Sequence, residues 1–267
     1  MASQLLIYEN AVPVSANKHG DWSLEMANDF AFTRHVNSVP LMAVEFPNAA
    51  SEYAIVFSGG KDAVIPAVIL GMRADENLYL TDVGGWQARY VPAFVRRYPF
   101  VFSISDDGKK FTLCIDESFP HFNQEGRGER LFTEDKKPTS YVERVLKFLE
   151  QYQIEFQRTQ AFCKKLLELE LLEPMRAQAE LGTGEKLSLG GFMAVNRDKA
   201  KALPPEKLAE LAKTDELELL YLHLHSMRNF PSMAKRLASR APASGDDRVA
   251  PKANEDRNDK ESPARSK

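Results

Sequence analysis

From Glu52 to Asp116, short apolar, β-branched and aromatic runs alternate with turn residues: YAIVFSGGKD, VIPAVILGM, NLYLTDVGG, FVFSISDDGKK and FTLCID. This punctuation predicts an antiparallel sheet. The sharpest hairpin is VFSISDDGKKFTLCID, where Asp107-Gly108 supplies the positive φ angles of a tight turn. Ahead of the sheet, SVPLMAVEFPNAA holds either a short strand or an irregular wrapping segment.

At Pro138 the period changes. Tyr141, Val145, Phe148, Tyr152 and Phe156, then Phe162, Leu166 and Leu169, keep helical spacing, so one stripe faces a core. Ser140 followed by Glu143 reads as a capping box, and Pro174 as the stop. The helix would run for about 45 Å at 1.5 Å per residue, and the polar QRTQ in its middle predicts a bend or break. EKLSLGGFMAVNRD then reads as two short strands hinged at Gly190-Gly191. Helices return with Pro205 opening PEKLAELAK and with Thr214, Asp215 and Glu216 capping DELELLYLHLHSMRNF. Pro231 closes that helix or begins a brief last one. After about Ser239 the chain is poor in large apolar residues and rich in Pro, Ser, Ala and mixed charge, which predicts a disordered tail. No internal repeat is visible.

The expected fold class is therefore α+β. A β-rich part over 1–137 carries a mainly helical part over 138–238, which includes a small strand pair, and the tail occupies 239–267.

Composition narrows the function classes. With 267 residues and 43% hydrophobic content, the chain buries one sizeable core or two modest ones. A formal net charge of -3 gives no global field toward nucleic acid or an anionic bilayer. Cys114 and Cys163 lie far apart in apolar segments and suit free thiols in a reducing compartment. The opening MASQLLIYENAVPV lacks a basic n-region, and no apolar stretch reaches the roughly 20 residues of a membrane span. A cytoplasmic protein is expected, with export by a signal-less route left open.

The candidate chemistry is sparse. RYVPAFVRRYPFVFS concentrates arginines and aromatic rings. From Pro99 onward it alternates as a strand, whereas Pro92 and Pro99 make its first half an edge, a bend or a short turn. That leaves Arg89, Tyr90, Arg96 and Arg97 beside the sheet as the first place to seek a binding surface. A second basic-aromatic loop, FPHFNQEGRGERLF, adds His121, Arg127 and Arg130 as candidates for an anionic group such as a carboxylate. His223 and His225 sit two apart on a helix and so point about 200° apart, which does not suit joint metal ligation. Cys114, Asp116, Glu117 and His121 read as a core cysteine followed by a polar turn. SGGKD and GTGEK do not fit a phosphate loop, and neither GxSxG nor HExxH occurs. No catalytic residue, metal or cofactor is expected.

Four stretches in order carry a family resemblance: RYVPAFVRRYPFVFS, DESFPHFNQEGRGERLF, GEKLSLGGFMAVNRDKAKALP and LYLHLHSMRNF. The chain resembles the SapC family of bacterial proteins from its N-terminus to about Phe230. The family name comes from a member associated with a paracrystalline surface layer and serum resistance. Other members are similar to proteins encoded near TonB-dependent receptors and flavin-dependent halogenase-like enzymes. The resemblance brings no set of catalytic residues. It implies a non-catalytic accessory protein that binds a peptide or protein partner in a surface-layer or nutrient-uptake pathway. The alternative is an enzyme, or an obligatory enzyme subunit, acting with a neighbouring halogenase or oxygenase on a peptide or small anionic substrate. A deep pocket lined by Arg96, Arg97, Arg127, Arg130 or His121 would favour that alternative. Nucleic acid and a membrane span are not expected, and homo-oligomerisation is left open.

Overall fold

The computed structural model of the chain describes residues 5–25, 27–60, 63–105, 108–180 and 184–240. The fold is α+β. The alternating runs expected to form one sheet divide between two. Strands β6 (Phe100–Ile104) and β7 (Phe111–Asp116) pair with β1 (Ala11–Pro13) in the order β1-β7-β6. Strands β4 (Ile55–Gly59) and β5 (Val64–Ile69) belong to a five-stranded sheet with β3 (Ser38–Pro40), β10 (Leu172–Glu180) and β11 (Lys186–Val195), in the order β10-β11-β4-β5-β3. A third, short sheet sets β2 (Ser23–Leu24) between β8 (Phe122–Asn123) and β9 (Glu129–Arg130). Every pairing is antiparallel.

Gly108, in the hairpin turn between β6 and β7, has φ of +71°; its expected partner Asp107 lies outside the described residues. The NLYLTDVGG run is not a strand and contributes only the Leu80–Trp86 bridge. SVPLMAVEFPNAA holds both alternatives: β3, then a 3-10 turn at Ala43–Glu45 and helix α2 (Phe46–Ala49).

The long helix α4 (Ser140–Glu168) corrects three expectations. Its N-cap is Thr139, whose side chain accepts the Val142 N–H, because Thr139 is still extended while Ser140 is already helical. The helix stops well before Pro174. Glu170 has φ of +52°, and the N–H groups of Leu171 and Glu170 donate back to the carbonyls of Leu166 and Leu167. Those two bonds close the last turn as a Schellman motif with glutamate in the left-handed position. Pro174 sits instead in β10, an edge strand, where a missing ladder donor is tolerated. The helix also runs unbroken through QRTQ. Thr159 in that stretch is buried, donates to the Glu155 carbonyl at 2.7 Å, and accepts the Ala43 N–H at 2.9 Å.

Gly190-Gly191 is not a hinge between two strands but a bulge within β11. Met175 pairs with Phe192 and Ala177 with Leu189, so two glycines face one residue, and Gly191 takes φ of +84°. Helices α5 (Arg197–Lys201), α6 (Pro205–Lys213), α7 (Glu216–Ser226) and α8 (Asn229–Arg240) follow. Asp215 at the start of α7 makes no capping bond; Thr214 Oγ1 donates to Glu216 Oε2 at 2.7 Å instead. Pro231 lies in the first turn of α8, which continues through Ser239 to Arg240, so the predicted start of the tail is helical. The rest of the expected disordered tail, from residue 241, lies outside the described residues.

Two hydrophobic cores result, and α4 serves both. Val142 and Leu149 join Leu24, Phe100, Ile115, Leu131 and Phe132 in the smaller core. Tyr152, Phe162, Cys163 and Leu166 join the larger one, where Phe57 of β4 packs against Phe162 and His223.

Candidate functional site

Pro92 and Pro99 bracket the first half of the arginine-rich stretch, and between them the chain makes the single turn α3 (Ala93–Arg96) rather than a sheet edge. Proline at the start of such a turn sacrifices a donor that has no helical partner anyway. The Tyr98–Pro99 bond is cis, and β6 begins directly after it. This short path leaves Arg96 exposed on one side and folds Arg97 inward, where it is only 4% exposed.

Beside this turn lies a groove of about 440 Å³. Its walls are residues 24–25, 27–30 and 32, the α3 turn with Tyr98 and Pro99, Phe100 and Phe119, and the first half of α4. The α4 wall consists of Tyr141, Arg144, Val145 and Phe148, whose i, i+3, i+4, i+7 spacing puts them on one helix face.

The first of these walls is held at both ends, with the Glu25 N–H donating to the His121 carbonyl at 3.0 Å at its start. Asp29 Oδ1 accepts the Ala31 N–H at 2.8 Å, and Asp29 Oδ2 lies 3.2 Å from His121 Nε2. Phe30 donates its N–H to the Gly84 carbonyl at 2.9 Å. Glycine is required at position 84, because a Cβ there would lie 2.3 Å from Asp29 Oδ1 and φ is +87°. At the other end Gly128 passes so close to β2 that a Cβ would lie 2.2 Å from the Leu24 carbonyl oxygen.

Rings line the groove. Phe32 stacks on Tyr98 with centroids 4.0 Å apart, and Phe119 meets Tyr98 edge-on at 4.9 Å. Burial, then the nearby Asp116 carboxylate, pushes the Tyr98 hydroxyl well above its ordinary pKa, so it stays neutral.

Three arginines, Arg96, Arg97 and Arg144, and two carboxylates, Glu25 and Asp29, line the groove. Arg97 is enclosed by rings, with its guanidinium carbon 4.3 Å from the Phe94 centroid and 4.9 Å from that of Tyr152. Arg144 lies 3.6 Å from Glu129. Arg96 donates through Nε to the Val91 carbonyl at 2.9 Å and lies over the Phe148 ring at 5.5 Å. Its Nη2 reaches the Tyr90 hydroxyl at 3.4 Å, and Tyr90 in turn donates to Glu45 at 2.7 Å. Glu45 is buried and also accepts the N–H groups of Met42 and Ala93; burial raises its pKa against the pull of those bonds.

Of the residues singled out from sequence, the fold brings Arg96 and Arg97 together in the groove. His121 stands behind its wall and touches it through Asp29. Arg89 is exposed and outside it, with its backbone N–H on the Glu52 carboxylate at 2.8 Å. Arg127 lies 3.0 Å from Glu125 and 3.5 Å from Glu25. Arg130 lies 3.8 Å from Asp21. Arg144, Asp29, Phe32 and Phe119 were not singled out. The helical stripe of Tyr141, Val145 and Phe148 carries the signal for Arg144, because a cation three residues after Tyr141 shares its face.

Cys114, Asp116, Glu117 and His121 do not converge. Burial pushes the Cys114 thiol up. Asp116 turns to the N-terminal segment and accepts the N–H groups of Glu9 at 2.7 Å and Asn10 at 3.1 Å. Glu117 takes Lys18 at 2.5 Å and His19 at 2.8 Å. His225 is exposed while His223 is buried. Among the described residues, no three His, Cys, Asp or Glu side chains are grouped to hold a metal ion.

The family model SapC matches residues 14–233, a span that contains every groove residue named above. The chain belongs to the SapC family. Comparisons with curated proteins and with solved structures give no match. Among the described residues of this SapC chain, no helix is long and apolar enough to cross a membrane.

Proposed function

We propose that this SapC-family protein is a non-catalytic accessory protein that binds a peptide or protein partner in a surface-layer or nutrient-uptake pathway. The groove between residues 24–25, 27–30 and 32, α3 and α4 carries the reading. It has the size of a ligand cleft, largely apolar walls and a few convergent polar groups. Its rings offer stacking surface at low entropic cost, as binding surfaces of this kind do. Both thiols are buried and their pKa values raised, which is the opposite of what a nucleophile needs.

The test is a photo-crosslinking amino acid placed at Val145 in the native cell. A peptide or protein partner captured there, and not from an exposed position such as Val83, supports the reading. Substrate turnover by the purified chain that is lost in His121→Ala defeats it.

A second reading, an enzyme or enzyme subunit, draws on the Arg96 and Arg97 lining of that same groove, the feature expected to favour it, although Arg127, Arg130 and His121 do not line it, and on the Asp29–His121 contact beside it. An imidazole oriented by a carboxylate suits proton transfer, and the turnover measurement above separates the two.

A further inference from the structure

We infer that the groove selects an extended peptide from another protein in which an acidic side chain is flanked by aromatic residues, and that Arg96 recognises the carboxylate. The inference rests on the peptide-binding reading of the groove and names its ligand chemistry.

Charge singles out Arg96. Arg97 is enclosed by the rings of Phe94 and Tyr152, and Arg144 has Glu129 nearby. Among the described residues, no carboxylate forms an ion pair with Arg96, although it is exposed and lines the groove. The buried Glu45 carboxylate feels the Arg96 charge across the Tyr90 hydroxyl, but it makes no ion pair with Arg96 and already accepts three donors of its own.

The guanidinium is also held in place. The Nε bond to Val91, the Nη2 contact with Tyr90 and the Phe148 ring fix its plane. A guanidinium has about five N–H donors in a planar fork, so those two contacts leave an edge free to take a carboxylate in bidentate fashion. Because the fork is already oriented, little side-chain entropy is lost on binding.

The neighbouring wall specifies the flanking residues. Phe32, Tyr98 and Phe119, half-buried and packed on one another, line the groove, and a ligand ring meeting what they leave open would do so in offset or T-shaped contact. The chain's own residues 241–267 contain acids but neither an aromatic residue nor a leucine, isoleucine or methionine, so they do not match this wall.

The full-length protein is titrated with a fluorescein-labelled Gly-Ser-Phe-Asp-Phe-Ser-Gly peptide and with its Phe-Asn-Phe counterpart. The acidic peptide is expected to bind roughly tenfold or more tightly than the amide, as a charge-assisted pair implies. Arg96→Gln should erase that preference while the amide peptide still binds. Val145→Arg, which obstructs the groove, should abolish both, with circular dichroism showing that each variant is folded. Equal affinity for the two peptides overturns the carboxylate inference and leaves the peptide reading standing. Binding that survives Val145→Arg shows that the peptides bind outside the groove and overturns the inference, and no binding of either peptide also overturns it, while crosslinking at Val145 decides the peptide reading. Displacement of the peptide by an oligo(U) ribonucleotide, or by a second copy of the chain in sedimentation, also overturns the inference by assigning the groove to another occupant.

Discussion

The Nε2 atom of His223 accepts the backbone N–H of Val195 at 3.0 Å, and its Nδ1 lies 2.9 Å from the carbonyl oxygen of Ile55. A carbonyl can only accept, so the proton of this buried ring resides on Nδ1. The imidazole thereby ties α7 to both β11 and β4, and its neutral form alone satisfies the two contacts.

Burial lowers the His223 pKa to about 4, against the opposing bond to Ile55. In the unfolded chain the ring takes a proton below about pH 6.5. Stability from this residue is therefore complete above that pH and declines as pH falls from about 6.5 toward 4, by a total of roughly 3 kcal/mol. Urea unfolding midpoints at a series of pH values should show the decline. His223→Phe should flatten it while lowering stability at pH 7, because two buried backbone groups lose their partner.

Thr159 joins the middle of α4 to the turn that carries Glu45. Thr159→Val keeps the shape but strands the Ala43 N–H, a loss of about 1–3 kcal/mol. Chemical denaturation of the variant should register it, and an unchanged midpoint would show that water replaces the hydroxyl.

Asp116 staples the N-terminal segment onto β7. Burial raises its pKa, but the Ser118 hydroxyl and the N–H groups of Glu9, Ser118 and Asn10 outweigh burial and hold it below the ordinary value. A lowered carboxylate contributes stability that is present above the unfolded value near pH 4 and is lost as pH falls through the folded value. Asp116→Asn should cost about 1–3 kcal/mol at pH 7. Limited proteolysis should then cut within residues 5–14 faster than in the parent chain.

Both cysteines are buried, and burial pushes the Cys163 thiol up to about 12. Iodoacetamide at pH 8 should leave Cys163 unmodified in the folded chain and alkylate it in urea, as read by intact mass. Rapid native labelling would mean that the larger core opens frequently.

Local chemistry made part of this fold legible. The β6–β7 hairpin announces itself through Gly108 between two apolar runs, and α6 through Pro205. The errors arise where distant contacts decide. Pro174 reads as a helix stop until β10 is known to be an edge strand. QRTQ reads as a break until Ala43 is seen to supply Thr159 with a partner. Arg96 and Arg97 stood out as a pair because the signal is contiguous in the chain. The groove around them did not, since its other walls come from residues 24–25, 27–30 and 32 and from the first half of α4, and no local pattern reports that these segments meet.

The strand order β10-β11-β4-β5-β3 also bears on how the chain is made. Ile55, Val56 and Phe57 of β4 are buried in the finished sheet, but their neighbour β11 ends at Val195. During synthesis β4 can pair with β5 on one side at once, but its other edge at Phe57 and Ser58 stays open until that later stretch has left the ribosome, a wait on the order of ten seconds. A nascent chain in this state is a template for wrong pairing. Expression yield should thus depend on translation speed and chaperone supply more than the stability of the completed protein suggests.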